Sequence, residues 1–245
     1  MLRGLYSAAT AMDAATTNQE IISHNLAYAN VPGFRRSVMS FETFETRLQR
    51  QLASEPGAYL GTRVSQVKTD FQMGRLEQTG RPLDVALASP EGFFVLGGPD
   101  GPRYTRSGVF HIGEDGNLVT STGVPVQGAG GPIAIPADAS PSQIRIGTDG
   151  TVWVNENQVG QLDIVRFADL DRLQPTGTLS FSAPPDMPPE PAEVTVAQGM
   201  RESSNVSAVD ELVRMIAGMR YFEASQRALR QLGETVHEHT NPQAG

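Results

Sequence analysis

The side chains that could bind a metal or act in catalysis are few in this sequence. Two histidines, His237 and His239, flank Glu238 near the C-terminus. Residues two apart on a helix point in different directions, so this trio does not predict a metal site. His24 and His111 each stand without a serine or an acid spaced for nucleophilic catalysis. The sequence therefore predicts no catalytic residue and no metal.

The sequence does not indicate a cofactor-binding site either. The glycine-rich stretch at 127–132 leads into a proline and a strand rather than a helix, so it is a poor phosphate cradle. Asp84 and Asp163 are isolated acids in strand-like runs, and the absence of cysteine excludes thiolate and disulfide chemistry. We expect no cofactor. A β-rich enzyme or ligand-binding domain stays open as an alternative, and it requires polar groups that converge in a pocket.

Charge and hydropathy limit the partners. The 245 residues include 19 basic and 27 acidic side chains, a net charge of -8 that repels nucleic acid and anionic lipid. No stretch approaches the roughly 18 apolar residues of a membrane helix, which predicts no membrane insertion. The apolar run after Arg3 is interrupted by Ser7, Thr10 and Asp13, so we expect no cleavable signal peptide.

The elements that must position any site differ between the ends and the middle of the chain. All but two of the 17 prolines lie between Pro56 and Gly199. Residues 2–27 are free of proline, and their apolar positions recur at alternating spacings of three and four, which predicts a helix that ends before Pro32. A second helix is predicted after Ser207, with the acids Asp210 and Glu211 in its first turn.

The middle of the chain has the composition of a β domain. Short runs rich in β-branched and aromatic residues alternate with Asp-Gly dipeptides at 100–101, 115–116 and 149–150, which favour hairpin turns. The proline-rich segment 184–191 reads as an extended connector. A mostly antiparallel sheet arrangement is therefore expected between the two helices.

The predicted fold class is α+β, with long N- and C-terminal helices forming a coiled-coil-like assembly domain that flanks the central β domain. An isolated helix is marginal in water, so its apolar stripes need partners, most simply from another subunit. Packing of both helices on the β domain is the open alternative, because coiled-coil and core-facing stripes overlap. The predicted segments are an N-terminal assembly helix at 1–36, a linker at 37–60, the β domain at 61–183, the connector at 184–201, the C-terminal assembly helix at 202–240 and a tail at 241–245.

Four stretches are similar to one known family. Residues 22–36 (ISHNLAYANVPGFRR) resemble the N-terminal signature of flagellar axial proteins, and residues 70–96, 104–128 and 202–225 resemble later motifs of that family in the same order. The resemblance spans nearly the whole chain. It implies a self-assembling structural subunit of the flagellar basal-body rod, which transmits torque and is not an enzyme.

The resemblance also implies partners and a location. The partners would be copies of the chain, other rod proteins and the flagellar export apparatus, and the location would be the periplasmic rod, reached without a cleavable signal. The motifs at 81–87, 130–136 and 220–223 are more similar to proximal-rod members of the family, with distal-rod members as the alternative.

An assembly interface is predicted on the helical stripes and the signature. The amides of Asn25 and Asn30 could bridge backbone groups within the chain or reach a neighbour. Phe34 could fill the core or a neighbour's groove. The predicted interface residues are Leu5, Met12, Ile22, Asn25, Leu26, Asn30, Gly33, Phe34, Asn205, Val209, Leu212, Ile216, Met219, Phe222 and Leu229.

Overall fold

The computed structural model describes residues 2–41, 64–99 and 101–240. Helices lie at the two ends of this part, α1 at Leu2–Ala27 and α2 at Ala208–Thr240. The predicted linker falls outside the described residues from residue 42 onward, and the predicted tail lies wholly outside them.

Short β-strands occupy the chain between the helices. In chain order they are β1 Ser37–Phe41, β2 Val64–Thr69, β3 Leu76–Gln78, β4 Val85–Leu87, β5 Phe93–Gly98, β6 Gly101–Thr105, β7 Phe110–Ile112, β8 Leu118–Thr120, β9 Gln127–Gly128, β10 Gly131–Pro132, β11 Ile144–Ile146, β12 Thr151–Val154, β13 Asn157–Gln161, β14 Ile164–Arg166, β15 Gln174–Pro175, β16 Ser180–Ser182, β17 Glu190–Pro191, β18 Val196–Gln198 and β19 Met200–Glu202.

The strands that the structure describes pair in antiparallel fashion. The largest sheet has six strands in the order β15-β16-β6-β5-β14-β17, and a three-stranded sheet has the order β11-β12-β13. Two further pairs, β18 with β4 and β19 with β3, join distant parts of the chain. The register of the latter places Glu202 opposite Leu76, which brings the segment before α2 beside the start of the β region.

The core lies on both faces of β5. Side chains on a strand alternate between faces, so Phe94 and Leu96 enter one buried cluster while Phe93 and Val95 enter another. The Phe94 ring meets Phe110 edge to face, with centroids 5.2 Å apart. The run FFVL at 93–96 is apolar throughout because the strand is covered on both sides.

The helices form for local reasons and end at clear signals. Alanine and unbranched residues favour helix in α1, and three hydrogen-bonded turn residues follow Ala27 before Pro32. At the start of α2, Ser207 Oγ accepts the N–H of Asp210 at 3.4 Å, and its carbonyl accepts the N–H of Glu211 at 3.0 Å. No helix among the described residues is long and apolar enough to cross a membrane.

The chain divides into two compact units. The first, the helical unit, contains α1, β1, β2 and α2. The second, the β-rich unit, contains residues 28–36 and 71–206. The segment after α1 therefore belongs to the β-rich unit, although its sequence predicts an N-terminal assembly segment that continues to residue 36. The predicted segment boundaries stay predictions.

The predicted fold, α+β with terminal helices in a coiled-coil-like assembly domain, is wrong. The structure shows two helices, at the N- and C-terminal ends, and a large central β-rich region. Within the described residues no coiled-coil seam is shown, because the stripe predicted for it on α2 is exposed: Val209 is 70% and Ile216 is 50% exposed. Periodicity identified the apolar positions of α2, but it did not establish that they form a coiled coil.

The core gives a direct stability prediction. Replacement of Phe94, which is fully buried, by alanine should lower the free energy of unfolding by about 3–5 kcal/mol, since it removes apolar contacts and leaves a cavity. Urea denaturation measures the change. The control Gln158→Ala, at an exposed position of β13, should shift the free energy by no more than about 0.5 kcal/mol. Equal effects of the two substitutions would contradict this description of the core.

Candidate functional site

A tight turn follows α1 and delivers an aromatic side chain to the interior. We call residues 28–36 the signature turn. The N–H of Val31 donates to the carbonyl of Tyr28 at 3.0 Å, and the N–H of Phe34 donates to the carbonyl of Val31 at 3.2 Å. The rings of Tyr28 and Phe34 stack with centroids 5.3 Å apart. Phe34 is only 2% exposed, so it is a core residue of the folded chain.

Two glycines let this turn and the segment before α2 approach the rest of the β-rich unit. Gly33 has φ of +76°, and a Cβ there would lie 2.4 Å from the backbone of Ser107. A Cβ at Gly74 would lie 1.9 Å from the carbonyl oxygen of Ser203. The N–H of Gly33 donates to the carbonyl of Glu202 at 2.8 Å. Neither position can accept a side chain without moving backbone.

The carboxylate of Glu202 joins three separate segments of the chain. Its Oε1 accepts a hydrogen bond from Arg35 Nη2 at 2.5 Å and from the N–H of Gly74 at 2.8 Å. Its Oε2 accepts one from Arg106 Nε at 3.0 Å. The three charged side chains are 0–1% exposed. We call Arg35, Gly74, Arg106 and Glu202 the junction cluster.

The charges of the junction cluster are costly to bury, because two guanidinium groups share one carboxylate away from water. Burial lowers the pKa of Arg106 to about 10; Glu202 opposes this shift and Arg35 adds to it. Arg106 also donates to the carbonyl of Gly92 through Nη1, and its guanidinium carbon lies 5.8 Å from the ring centroid of Phe93. Arg106 therefore remains charged at neutral pH, and its charge is stabilised mainly by Glu202.

Two asparagines hold the backbone near the junction cluster and at the end of α1. Asn205 Oδ1 accepts the N–H of Arg36 at 2.8 Å, and its Nδ2 donates to the carbonyl of Gln72 at 3.0 Å. Asn25 is 1% exposed, and its amide bonds both backbone groups of Ser37, each at 2.8 Å. Both amides thus use their donor and their acceptor within the chain, which is one of the two alternatives that the sequence left open for Asn25.

Helix α2 presents an apolar surface to solvent. We call it the apolar face of α2, and its members are 46–70% exposed. They recur every three or four residues, so they lie on one side of the helix. The face comprises Val209, Leu212, Val213, Ile216 and Met219.

The other predicted interface residues have varied surroundings. Ile22 and Gly33 are buried, Asn30 is exposed, and Leu5 lies in the first part of α1. The remaining ones are half-buried, namely Met12, Leu26, Asn205, Phe222 and Leu229. The interface as a whole stays a prediction.

Sequence reasoning missed all four residues of the junction cluster. It identified only residues that lie beside the cluster, namely Gly33, Phe34 and Asn205. Arg35 and Glu202 are separated by 167 positions, and no local spacing links them. Charged residues are usually exposed, so residue type also pointed to the surface. The motifs that contain Gly33 and Asn205 were the signal that could have located the junction cluster, since both residues lie beside it.

An open groove on the β-rich unit is the place where ligand chemistry would be sought. It has a volume of about 690 Å³, and its lining includes Asp149, Asp163 and Glu193. Bonds from the hydroxyl and N–H of Thr151 lower the pKa of Asp149, whereas burial raises the pKa of Asp163. The lining residues include no histidine, lysine or arginine. In the part of the chain that the structure describes, no three side chains are grouped to bind a metal.

Models of three protein families match successive parts of the chain. Residues 5–35 match "Flagella basal body rod protein", residues 89–154 match "Flagellar hook protein FlgE/F/G D1 domain", and residues 197–235 match "Flagellar basal body rod FlgEFG protein C-terminal". The first and third matches contain Arg35 and Glu202, and the second contains Arg106.

Whole-length relatives decide the family. The flagellar basal-body rod protein FlgG of Agrobacterium fabrum is 34% identical over 251 residues, which cover 93% of this chain and 94% of the relative. The chain belongs to the flagellar basal-body rod proteins. FlgG of Bacillus subtilis is 31% identical over 98% of this rod protein and 99% of its own length. FlgF of Salmonella typhimurium is 32% identical over 96% and 95%.

The family confirms the resemblance found in the sequence and sets the kind of function. This rod protein is a structural subunit of the flagellar basal body and not an enzyme. It assembles with other axial proteins in the flagellar rod. Geometry that positions chain segments, such as the junction cluster, is therefore more relevant to its function than the acidic groove.

The junction cluster predicts a large effect of removing one charge. Glu202→Gln should lower the free energy of unfolding by about 3–5 kcal/mol, because it leaves two buried guanidinium groups without a carboxylate. Urea denaturation of the purified protein measures it. Glu77→Gln is the matched control: its partner Arg201 is 41% and Glu77 48% exposed, so the loss should be at most about 1 kcal/mol. Similar losses in both variants would refute the structural role of Glu202.

Proposed function

We propose that this rod protein binds copies of itself and neighbouring axial subunits through the apolar face of α2, and that the resulting rod transmits torque. The observation that supports the proposal is the exposure of that face: five large apolar side chains lie on one side of a helix and are 46–70% exposed. Contiguous apolar surface on a soluble protein marks an interaction site. Burial in the assembly would remove it from water.

Charge around the apolar face supports the same role. Arg214, Arg220, Arg227 and Arg230 are exposed along α2. Arginine suits interfaces because its planar guanidinium binds carboxylates in two places at once. Each subunit carries 27 acidic residues and a net charge of -8, so acidic partners for these arginines are abundant on neighbouring copies. Apolar burial would supply affinity, and the arginines would orient the contact.

The remaining predicted interface residues enter the proposal with less weight. Leu5, Met12, Ile22 and Leu26 lie on α1, and they would contribute to the assembled rod by supporting α2, which contacts α1 in the helical unit. Gly33, Phe34, Asn25 and Asn205 make intrachain contacts, so they would act within the subunit rather than at the proposed contact.

We place the subunit in the proximal rod, with the distal rod as the alternative. The motifs at 81–87, 130–136 and 220–223 support the proximal position. Relatives named FlgG and relatives named FlgF match with similar identity, so overall similarity favours neither. We further propose that the protein reaches the periplasm through the flagellar export apparatus.

A charge on the apolar face should prevent assembly and leave the subunit folded. Ile216→Asp places a carboxylate where the proposed contact excludes water, at a cost of several kcal/mol at each interface. Because Ile216 is 50% exposed in the single chain, the β-rich unit should keep its unfolding midpoint. Electron microscopy of basal bodies from cells that carry only this variant should show no complete rod.

The matched control is Ala228→Asp. It adds the same charge at an exposed residue of α2 that lies nine positions beyond Met219, the last member of the apolar face. Rods should form in this strain. Complete rods and normal motility in the Ile216→Asp strain would refute the proposed contact.

A further inference from the structure

The chain crosses between its two compact units at defined peptide bonds. One crossing is the bond between Arg36, the last residue of the signature turn, and Ser37, the first residue of β1. Three others follow Ala27, Asp70 and Val206. Any force that acts on one unit and reaches the other through the covalent chain passes through such bonds.

Consecutive residues at the first crossing are held by different asparagines. Within the β-rich unit, Asn205 Oδ1 accepts the N–H of Arg36 at 2.8 Å. Within the helical unit, Asn25 Oδ1 accepts the N–H of Ser37 at 2.8 Å, and Asn25 Nδ2 donates to the carbonyl of Ser37 at 2.8 Å. Each unit therefore fixes its own side of the same peptide bond. We call Asn25 and Asn205 the asparagine clamp.

Asn205 also makes a second hydrogen bond, which holds the chain near another crossing. Its Nδ2 donates to the carbonyl of Gln72 at 3.0 Å, two residues after the crossing at Asp70. Asn205 itself lies two residues before Ser207, where the chain enters the helical unit. One amide thus fixes the spacing of the chain at three crossings. Only a side chain with both a donor and an acceptor can do this, and a carboxylate or an alkyl group cannot.

We propose that the asparagine clamp is a positioning device that prevents the backbone at the Arg36–Ser37 crossing from extending under load. Force then passes between the units without first unfolding this segment. The inference rests on the proposed function, since it matters only in a subunit that transmits torque. Asn25 and Asn205 act through the backbone they hold.

The test uses Asn205→Leu in the full chain, with Asn157→Leu as the matched control. Asn157 lies on β13 and is exposed. Loss of the Asn205 bond should speed hydrogen exchange of the Arg36 amide about tenfold in the purified protein. Asn205→Leu cells should build complete rods in normal number but lose swimming speed in viscous medium, where load is high. Asn157→Leu cells should match wild type in both media.

A second variant covers the case in which Asn205→Leu fails to fold. One glycine inserted between Arg36 and Ser37 leaves both asparagines and their partners in place. It only lengthens the backbone at the crossing by one flexible residue. We expect complete rods and the same loss of speed under load.

Normal speed of the insertion strain in viscous medium would overturn the proposal. Absence of rods in that strain would also overturn it, because the crossing would then be needed for assembly itself. Failure of the proposed assembly contact is seen separately, as complete rods in the Ile216→Asp strain.

Discussion

The pairing of one carboxylate with two guanidinium groups in the interior is the constraint on which the β-rich unit depends. A buried charge without a partner is strongly destabilising, so Glu202 must meet Arg35 and Arg106 whenever the unit is folded. This requirement brings together the turn after α1, the strand before α2 and the loop after β6. The close backbone approach at Gly33 and Gly74 follows from it, because the segments must come near enough for hydrogen bonds to form.

Local chemistry made much of the fold predictable. The helices are visible in the sequence because alanine-rich, proline-free segments end at Pro32 and begin after Ser207. The central strands are visible as β-branched and aromatic runs between turn dipeptides. The coiled-coil assignment failed because an amphipathic helix of this length carries overlapping stripes, and periodicity does not show which one a neighbour covers. In α2, Phe222 and Leu229 are half-buried, whereas Val209 and Ile216 are exposed.

The site was less accessible to sequence reasoning, for a different reason. Gly33, Phe34 and Asn205 were recognised by their motifs, yet their role in holding chain segments together depends on residues far apart in sequence. The bond between Arg36 and Asn205 spans 169 positions. Charge and amide chemistry are local properties, but the partner that satisfies them is set by the whole fold. The sequence therefore indicates which residues matter more readily than what they contact.

The outer strands of the six-stranded sheet have a consequence for a protein whose family builds polymers. Both margins, β15 and β17, are two residues long, and each contains a proline, Pro175 or Pro191. A proline lacks the N–H that an incoming strand would need, and so short a margin offers little backbone to copy. Crowding many subunits together therefore does not favour edge-to-edge pairing of this sheet with the same sheet of a neighbour, the pairing that leads to amyloid-like aggregates.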